Sequence, residues 1–461
     1  MSGSAVVEED RLDDLHNWLA DRAAHNRMEV TRVPLAAMSG WRQDPETGNL
    51  VHDSGRFYTV EGLHVRTDRA WAAEWTQPIM LQDEVGMLGI LVKEIDGLLH
   101  CLMQAKVEPG NVNGLQLSPT VQATRSNFTA VHGGRRVKYL EHFTGERGGR
   151  VLVDSLQSEQ GSWFLGKRNR NMIVQVMDDV EVDEDFRWVG LDRIGALLRE
   201  DNVINMDSRT VLSCLPPSIV EQARGAGGRP TGDDFGELAR RSFSGAGRPR
   251  HTTREALSRL TSVRATTPLA RRRVPLGRTA EDGWRLTDEE ISRADARYFK
   301  VIGVEVRASR REVASWGQPL IAPAGQGLVA LMVQQIGGEL HALVRARTEA
   351  GTLNVAELGP TVQCLPANHA GVPDAHRPPY LAQALDHDPS RVRLDVVHSE
   401  EGGRFHHALN RYLVLETRPG ELPHPAPDFT WLTLGQIAGL LQHSNYVNVE
   451  LRSLIACLLT L

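Results

Sequence analysis

VLVDSLQSEQGSWFLGKRNRNMIVQ (151–175) and VRLDVVHSEEGGRFHHALNRYLVLE (392–416) carry one pattern twice, 241 residues apart. In each, a strand-like run enters a polar, glycine-containing turn and leaves it as a second strand-like run. Asp154, Ser158, Glu159, Gly161, Phe164, Asn169 and Arg170 fall on Asp395, Ser399, Glu400, Gly402, Phe405, Asn410 and Arg411. Outward from there the same offset holds without a gap back to Gly62 and Gly303. It superposes Trp75, Gln77 and Pro78 on Trp316, Gln318 and Pro319, and LSPTVQ (117–122) on LGPTVQ (358–363). Arg32–Leu35 (RVPL) recurs at Arg273–Leu276. The chain is a tandem duplication, and any site in one copy has a counterpart in the other.

The 461 residues would suggest about three domains by length. The repeat instead divides them into an N-terminal helical segment (1–31), a first repeat (32–216), a linker (217–271) and a second repeat (272–461). Each repeat is long enough for its own core. Hydrophobic residues at 41% and charged residues at 24% suit a globular protein, and a net charge of −6 argues against a non-specific nucleic-acid or acidic-membrane binder. The four cysteines form no CxxC, so a zinc site is not expected. No signal-peptide core and no apolar run of about 20 residues is present, so the expected location is the cytoplasm. The Arg/Gly/Ser-rich linker reads as solvated connector, with a helix such as REALSRLTSV (254–263) in it to mirror the N-terminal one.

Period-two alternation marks strands, as in LLHCLMQAKVE (98–108). One of its faces is apolar; the other carries Lys106 and Glu108, matched by Arg347 and Glu349. Helical periodicity marks 11–25, 188–202 and 431–445. Strands in the middle of each copy with flanking helices give an α+β class, not the strand–helix alternation of a Rossmann fold.

Two polar clusters are candidate binding sites. The turn 158–171 holds Trp163, Lys167, Arg168, Asn169 and Arg170, with His406, Asn410 and Arg411 in its second copy. Cationic and amide side chains of this kind clamp a diphosphate, and an indole stacks on a base or sugar. The second cluster pairs Asn205 and Arg209 with Asn448 and Arg452; asparagine offers the donor and acceptor that a thymine edge needs. The repeated Trp75/Trp316 and Gln122/Gln363 join the binding candidates. No dinucleotide, P-loop, HExxH or GxSxG signature occurs. His406 and His407, adjacent on a strand-like segment, are expected to face opposite ways.

At SEQGSWFLGKRNRN, NVINMDSRTVLSCLP (202–216) and EGGRFHHALNRY (401–412) the chain resembles the NDP-hexose 2,3-dehydratases of deoxysugar biosynthesis. That resemblance implies two Nudix-like mixed sheets flanked by helices, a homodimer, and dTDP-4-keto-6-deoxy-D-glucose as substrate. The Nudix box is missing from both copies, so no metal and no other cofactor is expected. The implied reaction abstracts the C3 proton, passes through an enolate and expels the C2 hydroxyl, and the product goes to a 3-ketoreductase. Glu159 or Glu400 is the first candidate base. Tyr139 or Tyr380 is a candidate donor or acid, and Lys106 or Arg347 a group to polarise the C4 oxygen or hold phosphate. Glu108/Glu349 and His100/His341 stand in reserve. A non-catalytic nucleotide-sugar sensor is the competing expectation.

Overall fold

The computed structural model describes residues 12–68, 72–124, 137–224, 234–309, 313–373, 376–422 and 425–461. It is α+β, with four sheets that come as two matched pairs. One seven-stranded sheet runs Arg150–Ser158, Arg168–Gln175, Gly86–Ile95, Leu98–Val107, Phe186–Gly190, with Leu115–Ser118 and Val121–Ala123 alongside. The other runs Val392–Ser399, Leu409–Glu416, Gly327–Ile336, Glu339–Arg347, Phe429–Thr433, with Glu357–Gly359 and Val362–Cys364 in the same places. In both, the second and third strands pair parallel and the other pairs along the path are antiparallel. The hairpin between the third and fourth strands turns on Asp96-Gly97 in one sheet and Gly337-Gly338 in the other, all at positive φ. A two-residue hairpin whose twist matches its strands needs left-handed backbone at both positions, which Asp-Gly and Gly-Gly supply.

The two five-stranded sheets exchange a strand. Met28–Val33, which runs from the N-terminal segment into the first repeat, pairs with Phe299–Ala308 of the second. Leu269–Val274 pairs with Thr59–Thr67 of the first. The two RVPL segments therefore each sit in the opposite copy, while the helices that precede them, Leu12–His25 and Thr253–Thr266, stay on their own halves. Gly62 and Gly303 mark the crossings: a Cβ at Gly62 would lie 2.8 Å from the Pro275 carbonyl oxygen, and one at Gly303 2.8 Å from that of Val33. Backbone approaches backbone there, and only glycine leaves room.

The copies do not keep separate cores as the length of each suggested. One apolar cluster contains Leu88, Ile90 and Val92 of the first large sheet together with Val329, Leu331 and Val333 of the second. Two helices, Met206–Leu212 and Val449–Leu459, pack against each other between the halves. Fully buried Arg209 and Arg452 lie on them. Arg209 donates to the carbonyls of Ile204 (2.7 Å) and Ser399 (2.8 Å) and to the Ser453 hydroxyl (3.2 Å). Arg452 mirrors it, donating to the carbonyls of Val447 and Ser158 and to the Thr210 hydroxyl.

The solvated connector expected at 217–271 is a further correction. It contains helices Pro217–Arg224, Asp234–Ser244 and Thr253–Thr266. Phe235, Ala239, Phe243, Ala256, Leu260 and Val263 from it join the shared core. The last of these helices is the one expected at 254–263; arginines and glycines masked the helical spacing of the apolar residues in the other two. Among the described residues no helix is long and apolar enough to cross a membrane.

The crossing glycines give a stability test. Gly62→Ala should destabilise the chain by about 1–3 kcal/mol through backbone crowding. Gly148→Ala, where an added Cβ meets nothing within 4 Å, should stay within about 0.5 kcal/mol of the parent. Thermal melts of the two variants check the difference.

Candidate active site

The strand exchange places residues of both repeats around each of two cavities. In the first, of about 490 Å³, the strand Leu98–Val107 delivers Lys106 and then Glu108 at its end. Val121–Ala123 delivers Gln122, and the far leg of the 158–171 turn delivers Lys167 and Asn169. The second repeat closes this cavity with Trp316, Gln318, Glu401 and Arg404. Gln122 donates to Glu108 (2.7 Å), and Lys106 Nζ lies 3.9 Å from a Glu108 oxygen. Asn169 donates to Glu159 (2.7 Å) and accepts from the Gly86 amide (3.1 Å). Lys167 donates to the Glu84 carbonyl. Arg404 lies over the Tyr58 ring, 4.3 Å from its centroid. Trp316 is held by Gln318 (2.7 Å), which in turn donates to the Gly403 carbonyl (2.8 Å).

The second cavity, of about 680 Å³, reverses the contributions. Arg347, Glu349, Gln363 and Asn410 come from the second repeat; Trp75, Gln77, Gln160 and Trp163 come from the first. The near leg of the 158–171 turn reaches across because Gly351 N donates to the Gly161 carbonyl (2.6 Å) and Gly166 N to the Gly351 carbonyl (2.8 Å). The cavities differ in charge. Where the first has Glu401, Arg404 and Lys167, the equivalent residues of the second are Gln160, Trp163 and Ala408. Glu400 there accepts hydrogen bonds from Gln160 (2.6 Å), Asn410 (2.7 Å) and Tyr412 (2.7 Å). Glu349 accepts from Arg347 (3.0 Å), Gln363 (3.2 Å) and Ser162 (3.0 Å).

These cavities gather Lys106, Gln122, Lys167, Asn169 and Trp316 in the first, and Trp75, Trp163, Arg347, Gln363, Glu400 and Asn410 in the second. Other candidates lie elsewhere. Tyr139 and Tyr380 are buried against Phe186 and Phe429, outside both cavities. The Tyr139 hydroxyl donates to the Glu181 carbonyl (2.9 Å). Arg170 and Arg411 point to the opposite face of their strands and clamp Asp154 and Asp395 with paired bonds of 2.6–2.7 Å. Arg168 also lies outside both cavities. Arg209 and Arg452 are interior braces. Asn205 and Asn448 cap the helices that follow, accepting from Ser208 N (2.8 Å) and Leu451 N (3.1 Å), and they touch the cavities only through Gln122 and Gln363. Glu159 sits behind Asn169 instead of in the wall of the first cavity. His406 and His407 stack, with ring centroids 3.9 Å apart, because His407 takes a left-handed φ of +49° that undoes the expected alternation. Residues that sequence reasoning missed are Glu401 and Arg404, which sit in the turn of one copy and serve the cavity of the other; Asp207, an acid repeated as Glu450 just ahead of the paired arginines, also lines the first cavity. The signal for Glu401 and Arg404 was in the repeat itself, because their counterparts Gln160 and Trp163 carry no charge.

A family model described as NDP-hexose 2,3-dehydratase matches residues 12–215 and again 253–458. The chain belongs to the NDP-hexose 2,3-dehydratase family. It is 51% identical over 445 residues to a dTDP-4-dehydro-6-deoxy-alpha-D-glucopyranose 2,3-dehydratase of Saccharopolyspora spinosa, covering 96% of this chain and 90% of that one. Proteins of the same name from Streptomyces violaceoruber (49%, over 97% of this chain and 96% of that one) and Amycolatopsis orientalis (46%, over 97% and 90%) are similar along nearly their whole lengths. These likenesses favour an enzyme, a hydro-lyase, over a non-catalytic sensor.

The dehydratase keeps proton-carrying groups in and behind the wall of its first cavity. Burial, and then the nearby Glu401 carboxyl, push Glu159 from 4.5 up to about 7. Burial likewise raises Glu401, against the pull of Arg404, and raises Asp207 well above the usual carboxylate range. Burial lowers Lys167, opposed by Glu401 and Glu159. Carboxyls that hold protons near neutral pH next to cations are the equipment of acid–base chemistry.

The raised Glu159 makes stability fall with pH. Its folded form holds a proton more tightly than the unfolded chain does. Its contribution is therefore most favourable below pH 4.5 and declines as pH rises to about 7. Glu159→Gln removes the titration. Its stability advantage over the parent should grow between about pH 5 and pH 8, with a ceiling on the order of 3 kcal/mol at about 1.4 kcal/mol per pKa unit. Thermal melts across that range check it, and a constant difference would contradict it.

Proposed function

We propose that this dehydratase removes the C2 hydroxyl of dTDP-4-keto-6-deoxy-D-glucose in its first cavity. The observation that carries the reading is the Lys106–Glu108 pair, 3.9 Å apart and both in the cavity wall. The C4 ketone makes the C3 proton acidic, because the electron pair left on C3 delocalises onto the C4 oxygen. The proton to be removed and the oxygen to be stabilised are on neighbouring carbons. One carboxylate and one ammonium side by side meet both needs. Glu108, held by Gln122, takes the base role first given to Glu159, and Lys106 supports the enolate oxygen. Arg404 and Arg273 offer cations for the diphosphate, and Trp316 offers an apolar face for thymine.

The second cavity has the same amide and indole framework but neutral residues at the Glu401 and Lys167 positions. In this reading it takes nucleotide without eliminating water. The units 32–216 and 272–461 are Nudix-like modules that trade their first strand. A homodimer and hand-over of the product to a 3-ketoreductase complete the proposal.

Proton NMR in deuterated water, with the dTDP sugar and with a 3-ketoreductase and NADPH as trap, tests it. The expected result is a 2-deoxy product whose formation drops about 100-fold or more in Glu108→Gln, while thermal shifts with dTDP persist. Absence of both C3 deuteration and elimination in the parent enzyme would sink the reading. Sedimentation velocity checks the dimer.

A further inference from the structure

We propose that Glu401, a residue of the second repeat, is the acid that protonates the departing C2 hydroxyl in the first cavity, and that it works as a carboxyl pair with Glu159. The proposal rests on the dehydratase reading above and goes beyond it by assigning the leaving-group acid.

The pseudo-symmetry of the chain carries the argument. Gln160 is the counterpart of Glu401, and it lines the second cavity while its amide donates to Glu400 at 2.6 Å. The counterpart of Glu400 is Glu159. An amide at this position can always offer an N–H to the carboxylate beside it, whereas a carboxyl can do so only in its protonated form. Glu159 is short of donors. One of its oxygens accepts from Asn169 (2.7 Å), and the other is buried with no hydrogen-bond partner among the described residues. In the second repeat Tyr412 supplies a further donor to Glu400, but its counterpart Asn171 turns instead to the Thr210 hydroxyl (3.2 Å). The first site has thus replaced two neutral donors, and one replacement is an acid, Glu401, that lines the cavity with Lys106 and Glu108. Two carboxyls held together out of water share a proton, because both cannot ionise cheaply. The rise of Glu159 to about 7, in which Glu401 takes part, agrees with that arrangement.

The step balances without a further reactant. Glu108 takes the proton from C3, and the C–H electron pair delocalises as the C4 enolate. Its collapse forms the C2–C3 double bond and breaks the C2–O bond. The hydroxyl leaves with the proton of Glu401 as water. The resulting enol at C3 then ketonises to the 3,4-diketone, with a proton moving from the C3 oxygen to C2. The proton gained by Glu108 equals the one lost by Glu401, so the site returns to its starting charge after one exchange between them.

Glu401→Gln is the decisive variant, since it installs in the first cavity the residue that the chain already folds with at position 160. The parent and variant are compared with dTDP-4-keto-6-deoxy-D-glucose in deuterated water, with C3 deuteration and C2 elimination followed separately. Glu401→Gln is expected to lose elimination by about 100-fold or more, while C3 exchange stays within a few-fold of the parent. Glu401→Asp, which keeps an acid at shorter reach, should recover part of the elimination together with its alkaline limb. Parent-like elimination in Glu401→Gln, or equal loss of exchange and elimination in both variants, would overturn the assignment while leaving the dehydratase intact. A parent enzyme that neither exchanges nor eliminates would remove both readings.

Discussion

Two guanidinium groups hold the centre of the molecule. Arg209 and Arg452 are both fully buried, and each donates to a backbone carbonyl of the other repeat, at Ser399 and Ser158. Taking such a cation out of water costs several kcal/mol unless its N–H groups all find oxygens. Each of these arginines gives one bond from every guanidinium nitrogen, spanning its own helix entry, a hydroxyl on the facing helix and the opposite strand. The next residue along each strand is Glu159 or Glu400. The brace therefore fixes where the glutamates of both turns stand, and the Arg452 charge offsets part of the burial that would otherwise raise Glu159 further.

From that centre the two halves diverge by substitution on a common frame. The frame consists of the sheet order, the hairpin turns, the asparagine caps and the Trp–Gln pairs, all present twice. Among the positions that differ are 160/401, 163/404, 167/408 and 171/412, in one turn and the strand it enters. Three of these border a cavity. At those three a ligand would meet a different charge in each copy.

The duplication, the strand–turn–strand unit and the cation–carboxylate pairs at 106/108 and 347/349 were legible because periodicity and internal repetition are local signals. So was the 158–171 turn as a polar cluster, whose residues line both cavities. Which cavity the turn serves was not legible, because the strand exchange and the reach of each turn into the opposite half depend on contacts far apart in the chain. Arg170 illustrates the limit. Its repetition marked it as significant, and the reason is an exposed ion pair with Asp154, repeated for the same structural purpose at Arg411 and Asp395. The helices Pro217–Arg224 and Asp234–Ser244 stayed hidden for a different reason, since arginine and glycine content outweighed a sparse apolar stripe, whereas the helix at Thr253–Thr266 was legible as REALSRLTSV (254–263).

The exchanged strands and crossed turns also change what a half of this chain is. Residues 32–216 contain Lys106, Glu108 and Lys167, but not the Trp316, Glu401 and Arg404 that close the same cavity. In genetic language the two repeats complement one another. A lesion in the second repeat at Trp316 and one in the first at Lys106 fall in the same site, while two lesions within the first repeat, at Lys106 and Trp75, fall in different ones.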